Sequence, residues 1–430
     1  MIISNIELVL LKLIHEYFDK FVRLSKHTKM ESPHVLKVTD AISWIGAIDY
    51  DIVTFDVVME TKYGTTYNSY LIKADKLAVV DTVKLKFWDE FIAKIRSEID
   101  PAEIEYIILN HTEPDHSGCV GKLLSVAPKA KIVGTGNAIR YLSDMISVPF
   151  ESIQVKDGQE INLGNKTLRF IAAANLHWPD SMYSYVVEDQ VLFTCDSFGA
   201  HYADERMFDD LVGSWDDAFY YYFDMILKPF SKFMLKAIER IRPLELSVVC
   251  PGHGPILRSD WRKYIDLSEK LAHIALDTPL KKRVFIPYVS AYDNTAHIAE
   301  AIAKGIESVV GVEAVLMNIE HVGLGEIDME LSLSSAMIVG CPTINQNILL
   351  PIYRLFAMIS PIRDKGKLAG GFGSYGWSGE GMKIIRTNLE NLKLRYTETD
   401  VFVKFSPNDS ELQRAENYGQ RFAQLMLQEY

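Results

Sequence analysis

The sequence predicts two domains in tandem, a mixed α+β domain followed by a doubly wound α/β domain with a parallel sheet. Three observations carry that expectation. The chain has 430 residues, 48% of them hydrophobic, whereas single cores rarely grow beyond roughly 250–300 residues. The rhythm of apolar runs breaks at Thr278-Pro279-Leu280-Lys281-Lys282-Arg283, where a proline and a basic cluster precede a new buried strand. Beyond that break, strands and helices alternate at βαβ spacing.

The elements follow in order. Residues Ile2 to Ile14 are strongly apolar, but Glu7 and Lys12 interrupt a run already too short to span a bilayer. No basic stretch precedes it and no small-residue cleavage site follows, so neither a membrane span nor a secretory signal is expected. The segment reads as an amphipathic helix that packs or binds a partner. Met30 precedes a sequence that starts like a domain, so residues 1–29 read equally as an extension outside the functional unit. From Val35 to about Asp277 short apolar runs alternate with polar turns, and the first domain is expected over residues 30–279. The second, over 280–430, is expected to run strand Val284–Tyr288, helix Thr295–Ser308, strand Ala314–Ile319, strand Ala336–Gly340 and helix Gln346–Ile359. Strand Leu368–Phe372, helix Gly379–Leu392, strand Asp400–Phe405 and a terminal helix from Ser410 complete it. A ligand of such a sheet is expected at the carboxyl ends of its strands.

A formal net charge of −12 argues against a nucleic acid partner, because neutralising phosphates needs a basic face. Cys119, Cys195, Cys250 and Cys341 are widely spaced, with no CxxC pair, so a reducing cytoplasm is the simplest setting.

The densest chemistry follows the apolar run Ile107-Ile108-Leu109. There His111-Thr112-Glu113-Pro114-Asp115-His116 offers two imidazoles and two carboxylates within six residues. Such donors suit borderline and hard metal ions. A polar loop that happens to hold two histidines is the plain alternative. Three further apolar runs weaken it: Leu168 to Ala173 leads to His177, Val191-Leu192-Phe193 to Asp196, and Leu246 to Val249 to His253. Alone, His177 reads as a core histidine, Asp196 as a turn residue and His253 as part of a tight turn. Their joint order points to a metal site, and glycines on both sides of His253 allow close backbone approach.

That order, a strand-terminal His-x-x-x-Asp-His run, a later His, then Asp, then Gly-His-Gly, resembles the metallo-β-lactamase fold, an αββα sandwich with a binuclear site. The usual zinc pattern there is His-x-His-x-Asp-His, and Glu113 stands where the second His would be. The added carboxylate hardens the site and favours redox-active iron over zinc. With this change the chain, from about Met30 to its end, resembles the flavodiiron proteins, or A-type flavoproteins. The resemblance implies that His111, Glu113 and His177 bind one iron, that Asp115, His116 and His253 bind the other, and that Asp196 bridges them. His201 is expected to support the site rather than to ligate, while His15, His27, His34, His273, His297 and His321 are expected at the surface or in packing.

The second domain carries its own signal. Ser290-Ala291-Tyr292-Asp293-Asn294-Thr295 lies between the first strand and its helix, and hydroxyls with backbone N–H groups at a helix start suit a phosphate. A plain helix cap through Ser290 or Asn294 explains that loop equally well. Two more loops, Cys341-Pro342-Thr343-Ile344-Asn345-Gln346 and Gly373-Ser374-Tyr375-Gly376-Trp377-Ser378-Gly379, follow later strands. Three such loops at one sheet edge resemble flavodoxin, where they hold FMN. Trp377 is then expected against the isoalloxazine, Thr343 and Asn345 at its polar edge, and Pro342, Ile344, Ser374, Tyr375 and Gly376 around it. Asp293 departs from the pattern by placing an acid in the phosphate loop. No Gly-x-Gly-x-x-Gly follows the first strand, which argues against direct NADH binding.

The resemblance implies an oxidoreductase in which FMN feeds electrons to a non-haem diiron centre that reduces dioxygen to water, nitric oxide to nitrous oxide, or both. It also implies a head-to-tail homodimer or a dimer of dimers. The electron donor would be separate: a rubredoxin, a flavin reductase or a reduced deazaflavin coenzyme. The rival from another reaction class is a binuclear zinc hydrolase with a flavodoxin-like accessory domain, and a non-enzymatic one is an electron carrier or oxidant sensor. Tyr63, Tyr67 and His201 are candidates for tuning the choice of oxidant.

Overall fold

The computed structural model describes residues 34–55, 59–277, 281–398 and 401–428. The expectations for residues 1–29 lie outside them, as does part of the predicted break at 278–280. The first architecture is an αββα sandwich. One sheet has seven strands in the order Leu36–Lys37, Ile42–Trp44, Tyr70–Ile72, Leu77–Val80, Ile104–Ile108, Lys131–Gly134 and Ser152–Gln154. Its first half is antiparallel; from Leu77–Val80 onward the strands run parallel. The facing sheet is a meander of Glu160–Asn162, Thr167–Ala172, Met182–Val186 and Val191–Cys195, to which Val248–Pro251 adds in parallel.

Period-2 alternation builds the layers. Tyr70, Ile72, Ala78, Val80 and Ile108 meet Phe170, Phe193, Val248 and Cys250 between the sheets. The alternate residues Leu71, Val79, Ile107, Leu192 and Val249 face outward. There they pack on helices such as Trp88–Glu98, through Phe91, Ile92 and Ile95, and Ser231–Ile241, through Met234, Ala237 and Ile238. Truncating a filled position such as Phe170 to alanine would cost about 3–5 kcal/mol.

The second architecture is a parallel sheet in the order Glu313–Asn318, Lys281–Tyr288, Ser334–Gly340, Leu368–Tyr375 and then Arg395–Tyr396, with Phe402–Lys404 also pairing with Leu368–Tyr375. Val284, Ile286, Ala336 and Ile338 pack on helices Asn294–Glu307 and Asp409–Leu427. Phe285, Met337 and Val339 pack on the opposite layer, helices Leu324–Leu333, Leu350–Met358 and Glu380–Asn391. This is the doubly wound arrangement the βαβ rhythm implies.

Three details differ from the sequence reading. The helix expected from Gln346 starts at Leu350, because Asn345 and Gln346 adopt left-handed backbone in a turn closed by Ile344 and Asn347, and Pro351 suits only a first turn. Helix Leu324–Leu333 was not expected. It is apolar on several sides, with Ile327 and Leu331 buried but Met329 exposed, and so shows no stripe. The short strand Arg395–Tyr396 is likewise not expected from the sequence. No helix among the described residues is long and apolar enough to cross a membrane.

Candidate metal centre and flavin cleft

The two sheets of the sandwich deliver their strand ends to one rim. Strand Ile104–Ile108 ends there, and Asp81, at the end of the neighbouring strand, accepts the Asn110 N–H at 2.8 Å and fixes the loop that follows. That loop places His111 and Glu113, and the short helix Pro114–Ser117 places Asp115 and His116. Left-handed backbone at Asp81, Asn175, Cys195 and Phe198 bends the chain beside these positions. For Cys195 and Phe198 this costs about 1–2 kcal/mol each, which the surrounding packing offsets. Gly252 packs against the His116 ring, where a Cβ would lie 2.8 Å from Cε1, so the turn carrying His253 can approach only without a side chain.

All seven predicted residues come together, in two sets. His111, Glu113, His177 and Asp196 offer atoms within 4.8 Å of one another, as do Asp115, His116 and His253. Glu113 Oε2 lies 3.2 Å from His111 Nε2 and 2.9 Å from His177 Nε2. Asp115 Oδ2 lies 3.1 Å from His253 Nε2 and 3.4 Å from His116 Nε2. Asp196 divides its oxygens between the sets. Oδ2 is 3.7 Å from His111 and 3.5 Å from His177, and Oδ1 is 3.1 Å from His116 and 3.4 Å from His253.

The electrostatics fit a cation trap. Burial pushes the three carboxylates up, but the neighbouring imidazoles outweigh it and hold Glu113, Asp115 and Asp196 below the usual range. Burial likewise lowers His116, yet Asp115 and Asp196 raise it to about 9. Asp115 Oδ1 and Asp196 Oδ2 are buried with no hydrogen-bond partner, a costly state for ionised oxygens unless a cation completes it. Three carboxylates and four imidazoles form the hard-to-borderline donor set that suits iron. Cys195 also lies within reach of His116 and Asp196, but burial pushes its thiol well up and keeps it protonated.

Several supporting residues were not singled out from sequence. Buried Asp180 sits 3.2 Å from His111 Nδ1 through both oxygens and accepts the Thr112 N–H and hydroxyl at 2.8 and 2.7 Å. Its place three residues after His177 was the available signal. His253 Nδ1 donates to the Thr66 carbonyl at 2.5 Å, leaving Nε2 for the centre. His201 is buried, stacked on Phe55 at 4.4 Å and 4.9 Å from the His253 ring. Tyr67 is buried with its ring 5.9 Å from His253 and donates to Asp49.

The flavodoxin-like loops enclose a cleft of about 370 Å³ at the carboxyl ends of the strands. Tyr292, Asn294, Pro342, Thr343, Ile344, Asn345, Ser374, Tyr375, Gly376 and Trp377 line it, as do Gln346, Ser378 and Phe405, which were not predicted. Ser290 and Thr295 do not line it. Ser290 accepts the Ala296 N–H at the helix start, and buried Thr295 is hydrogen-bonded to Ser374, a lining residue, at 3.0 Å. Asp293 has left-handed backbone, and its side chain makes no cap bond. Trp377 and Tyr292 are 87% and 83% exposed.

The sequence model of the ODP family beta lactamase matches residues 65–254, and that of flavodoxin matches residues 286–419. The type A flavoprotein of Rhodobacter capsulatus is 39% identical over 395 residues, 90% of each chain. The chain belongs to the flavodiiron, or type A, flavoproteins. The nitric oxide reductase of Moorella thermoacetica is 35% identical, covering 90% of this chain and 97% of that protein. Among solved structures, the rubredoxin:oxygen oxidoreductase of Desulfovibrio gigas superposes with a TM-score of 0.72 at 30% identity, over 92% of this chain and 99% of that one. The flavodiiron protein of Giardia intestinalis gives 0.71 at 27% identity, over 93% and 98%.

Proposed function

We propose that this flavodiiron protein is an oxidoreductase that reduces dioxygen to water, nitric oxide to nitrous oxide, or both, at a non-haem diiron centre supplied with electrons through FMN. The observation that carries the reading is Asp196, whose two oxygens serve two separate three-residue sets, one of them containing Glu113. His111, Glu113 and His177 would hold one iron, Asp115, His116 and His253 the other, and Asp196 both. When bound, two ferrous irons and one reduced FMN together hold the four electrons that dioxygen requires.

The chain's own groups prepare that chemistry. Asp180 faces His111 Nδ1 and the Thr66 carbonyl takes the His253 Nδ1 proton, so both rings turn Nε2 inward. Burial pushes the Tyr222 hydroxyl well up and keeps it protonated beside the centre. In the second domain Tyr292, Asn294, Pro342, Thr343, Ile344, Asn345, Ser374, Tyr375, Gly376 and Trp377 would enclose the flavin, with Ser290 and Thr295 supporting the phosphate loop. The exposed Trp377, Tyr292 and Phe405 at its rim suit an approaching surface, and a head-to-tail homodimer, or a dimer of such dimers, would present the metal domain of a second copy there. The domains are taken as 30–279 and 280–430. Electrons would come from a separate donor, a rubredoxin, a flavin reductase or a reduced deazaflavin coenzyme, in the cytoplasm.

The test is anaerobic reduction of protein whose iron, zinc and FMN have been quantified, followed by separate dioxygen and nitric oxide consumption assays. Two irons and one FMN per chain with consumption of either gas are expected. Two zincs, no iron and hydrolysis of an ester or phosphodiester would instead support the hydrolase.

A further inference from the structure

The candidate ligands are nearly sealed. His111, Asp115, His116, Asp196 and His253 have relative exposures of 0, 2, 1, 2 and 1%. Only the side chains of Glu113 and His177 keep appreciable surface, 11% and 16%. A small oxidant therefore needs a way in, and under the reading above the Glu113 and His177 edge is the one a partner's flavin must approach. The other set has an approach of its own.

A cleft of about 230 Å³ opens beside it. Its exposed lining is Glu60, Lys62 and Asp217, with Tyr63 and Tyr221 half-buried below; its buried floor is Ala218, His201 and Tyr222. The floor rings lie against a candidate ligand. The His201 centroid is 4.9 Å from His253 and 4.9 Å from Tyr222, and Tyr222 is 6.2 Å from His253. The cleft thus ends one ring away from the metal set. His201 is held on one edge only. Its Nδ1 lies 2.8 Å from the Thr65 hydroxyl, while its buried Nε2 has no hydrogen-bond partner. Leaving such an atom unpaired costs about 1–3 kcal/mol, and native folds retain few such atoms without a use for them. Ala218 is the small residue of the floor, on helix Asp216–Tyr222. Any longer side chain there would fill the end of the cleft.

We propose that this cleft is the entry route of the small oxidant and that Ala218 sets its width where it meets His201 and Tyr222. The proposal rests on the oxidant-reducing reading. Entry here keeps the gas path apart from the flavin path, so electrons and oxidant arrive from different sides of the centre.

The experiment compares unmodified protein with Ala218→Val and Ala218→Phe, all loaded with iron and FMN and reduced anaerobically, by following the absorbance change on rapid mixing with nitric oxide. Binding is expected to slow in order of side-chain volume, by about tenfold or more for the phenylalanine, with iron content and the rate of FMN reduction by dithionite unchanged. Equal binding rates in the three proteins would overturn the route. If the phenylalanine variant does not fold, crystals of the unmodified protein under xenon decide. Xenon in the cleft over Ala218 is the expected result, and xenon only at the Glu113 and His177 edge overturns it. Binding that slows from the unmodified protein through Ala218→Val to Ala218→Phe, with neither gas consumed by the unmodified protein, would remove the reductase reading and leave the route. Gas consumption by all three proteins together with equal binding rates would remove the route alone.

Discussion

Asp180 faces His111 Nδ1 with both carboxylate oxygens while accepting two further bonds from Thr112, so one buried acid holds the ring of a proposed ligand in place. Asp180→Asn is expected to weaken metal retention about 10–100-fold, read as iron content after dialysis against a graded chelator series, with the fold intact by circular dichroism. Glu113 acts differently, through the hardness of the donor set. Glu113→His restores the zinc pattern and is expected to shift the bound metal from iron toward zinc in cells given both, with loss of gas consumption; metal analysis of the purified variant checks it. A third residue effect lies far from the centre. Burial pushes the Asp364 carboxyl up, but Arg363 and Lys367 outweigh it and hold it below the usual range. Its folded value is therefore below the unfolded one of about 3.9. The stability it contributes is present above about pH 4 and disappears as pH falls through the folded value. Asp364→Asn is expected to destabilise by about 1–3 kcal/mol at neutral pH, because Arg363 and buried Lys367 lose their shared carboxylate while Arg363 keeps only Asp328, at 2.8 Å. That gap should narrow in urea unfolding repeated below about pH 4.

Among the elements, the helix pair Asn294–Glu307 and Asp409–Leu427 covers one face of the flavodoxin-like sheet at unusually short range. A Cβ on Gly305 would overlap the Glu416 carbonyl oxygen, and one on Gly419 the Ile302 carbonyl oxygen. In an exposed helix, Gly→Ala usually gains up to about 1 kcal/mol. Here the overlap dominates, and Gly305→Ala is expected to destabilise by about 1–3 kcal/mol, seen as a lower melting temperature and weaker FMN retention. The same helix pair also adjoins the loop of residues 290–293. Asn294–Glu307 begins where that loop ends, and Asp409–Leu427 is itself fixed by a reciprocal cap between Asn408 and Glu411.

At the scale of the whole molecule, helix Leu324–Leu333 of the second domain touches strand Met59–Glu60 of the first, so the flavin cleft and the metal rim belong to one connected body. The proposed head-to-tail pairing has a quantitative consequence. In a heterodimer of a metal-site variant, Asp115→Ala, and a cleft-filling variant, Gly376→Trp, one of the two composite centres keeps both an intact flavin and an intact metal site. Co-expressing the two inactive variants is expected to restore about a quarter of the unmodified activity, since half the dimers are mixed and half their centres are whole. Gas consumption by the co-purified protein checks this. No recovery would mean that electrons pass within one chain.

The sequence by itself determined the chemistry of the donors and the order of the elements. His111, Glu113, Asp115 and His116 declared a hard metal site because ligand type is written in side chains, and the βαβ rhythm declared a doubly wound sheet because burial periodicity is local. Tertiary structure decided what depends on contacts distant in sequence. It brought Asp196, whose bridging place only the family resemblance had implied, between the two sets, and placed Asp180, 69 residues away, behind His111. It also set the hydroxyls of Ser290 and Thr295 in local hydrogen bonds, to the Ala296 N–H and to Ser374, because the partners of a loop residue follow from the packing around it. Helix Leu324–Leu333, lacking an apolar stripe, had no local signal to read. The cleft above Ala218 was invisible for the same reason. A void is a property of residues that meet in space, and Glu60, Tyr63, His201 and Ala218 meet only when the chain has folded.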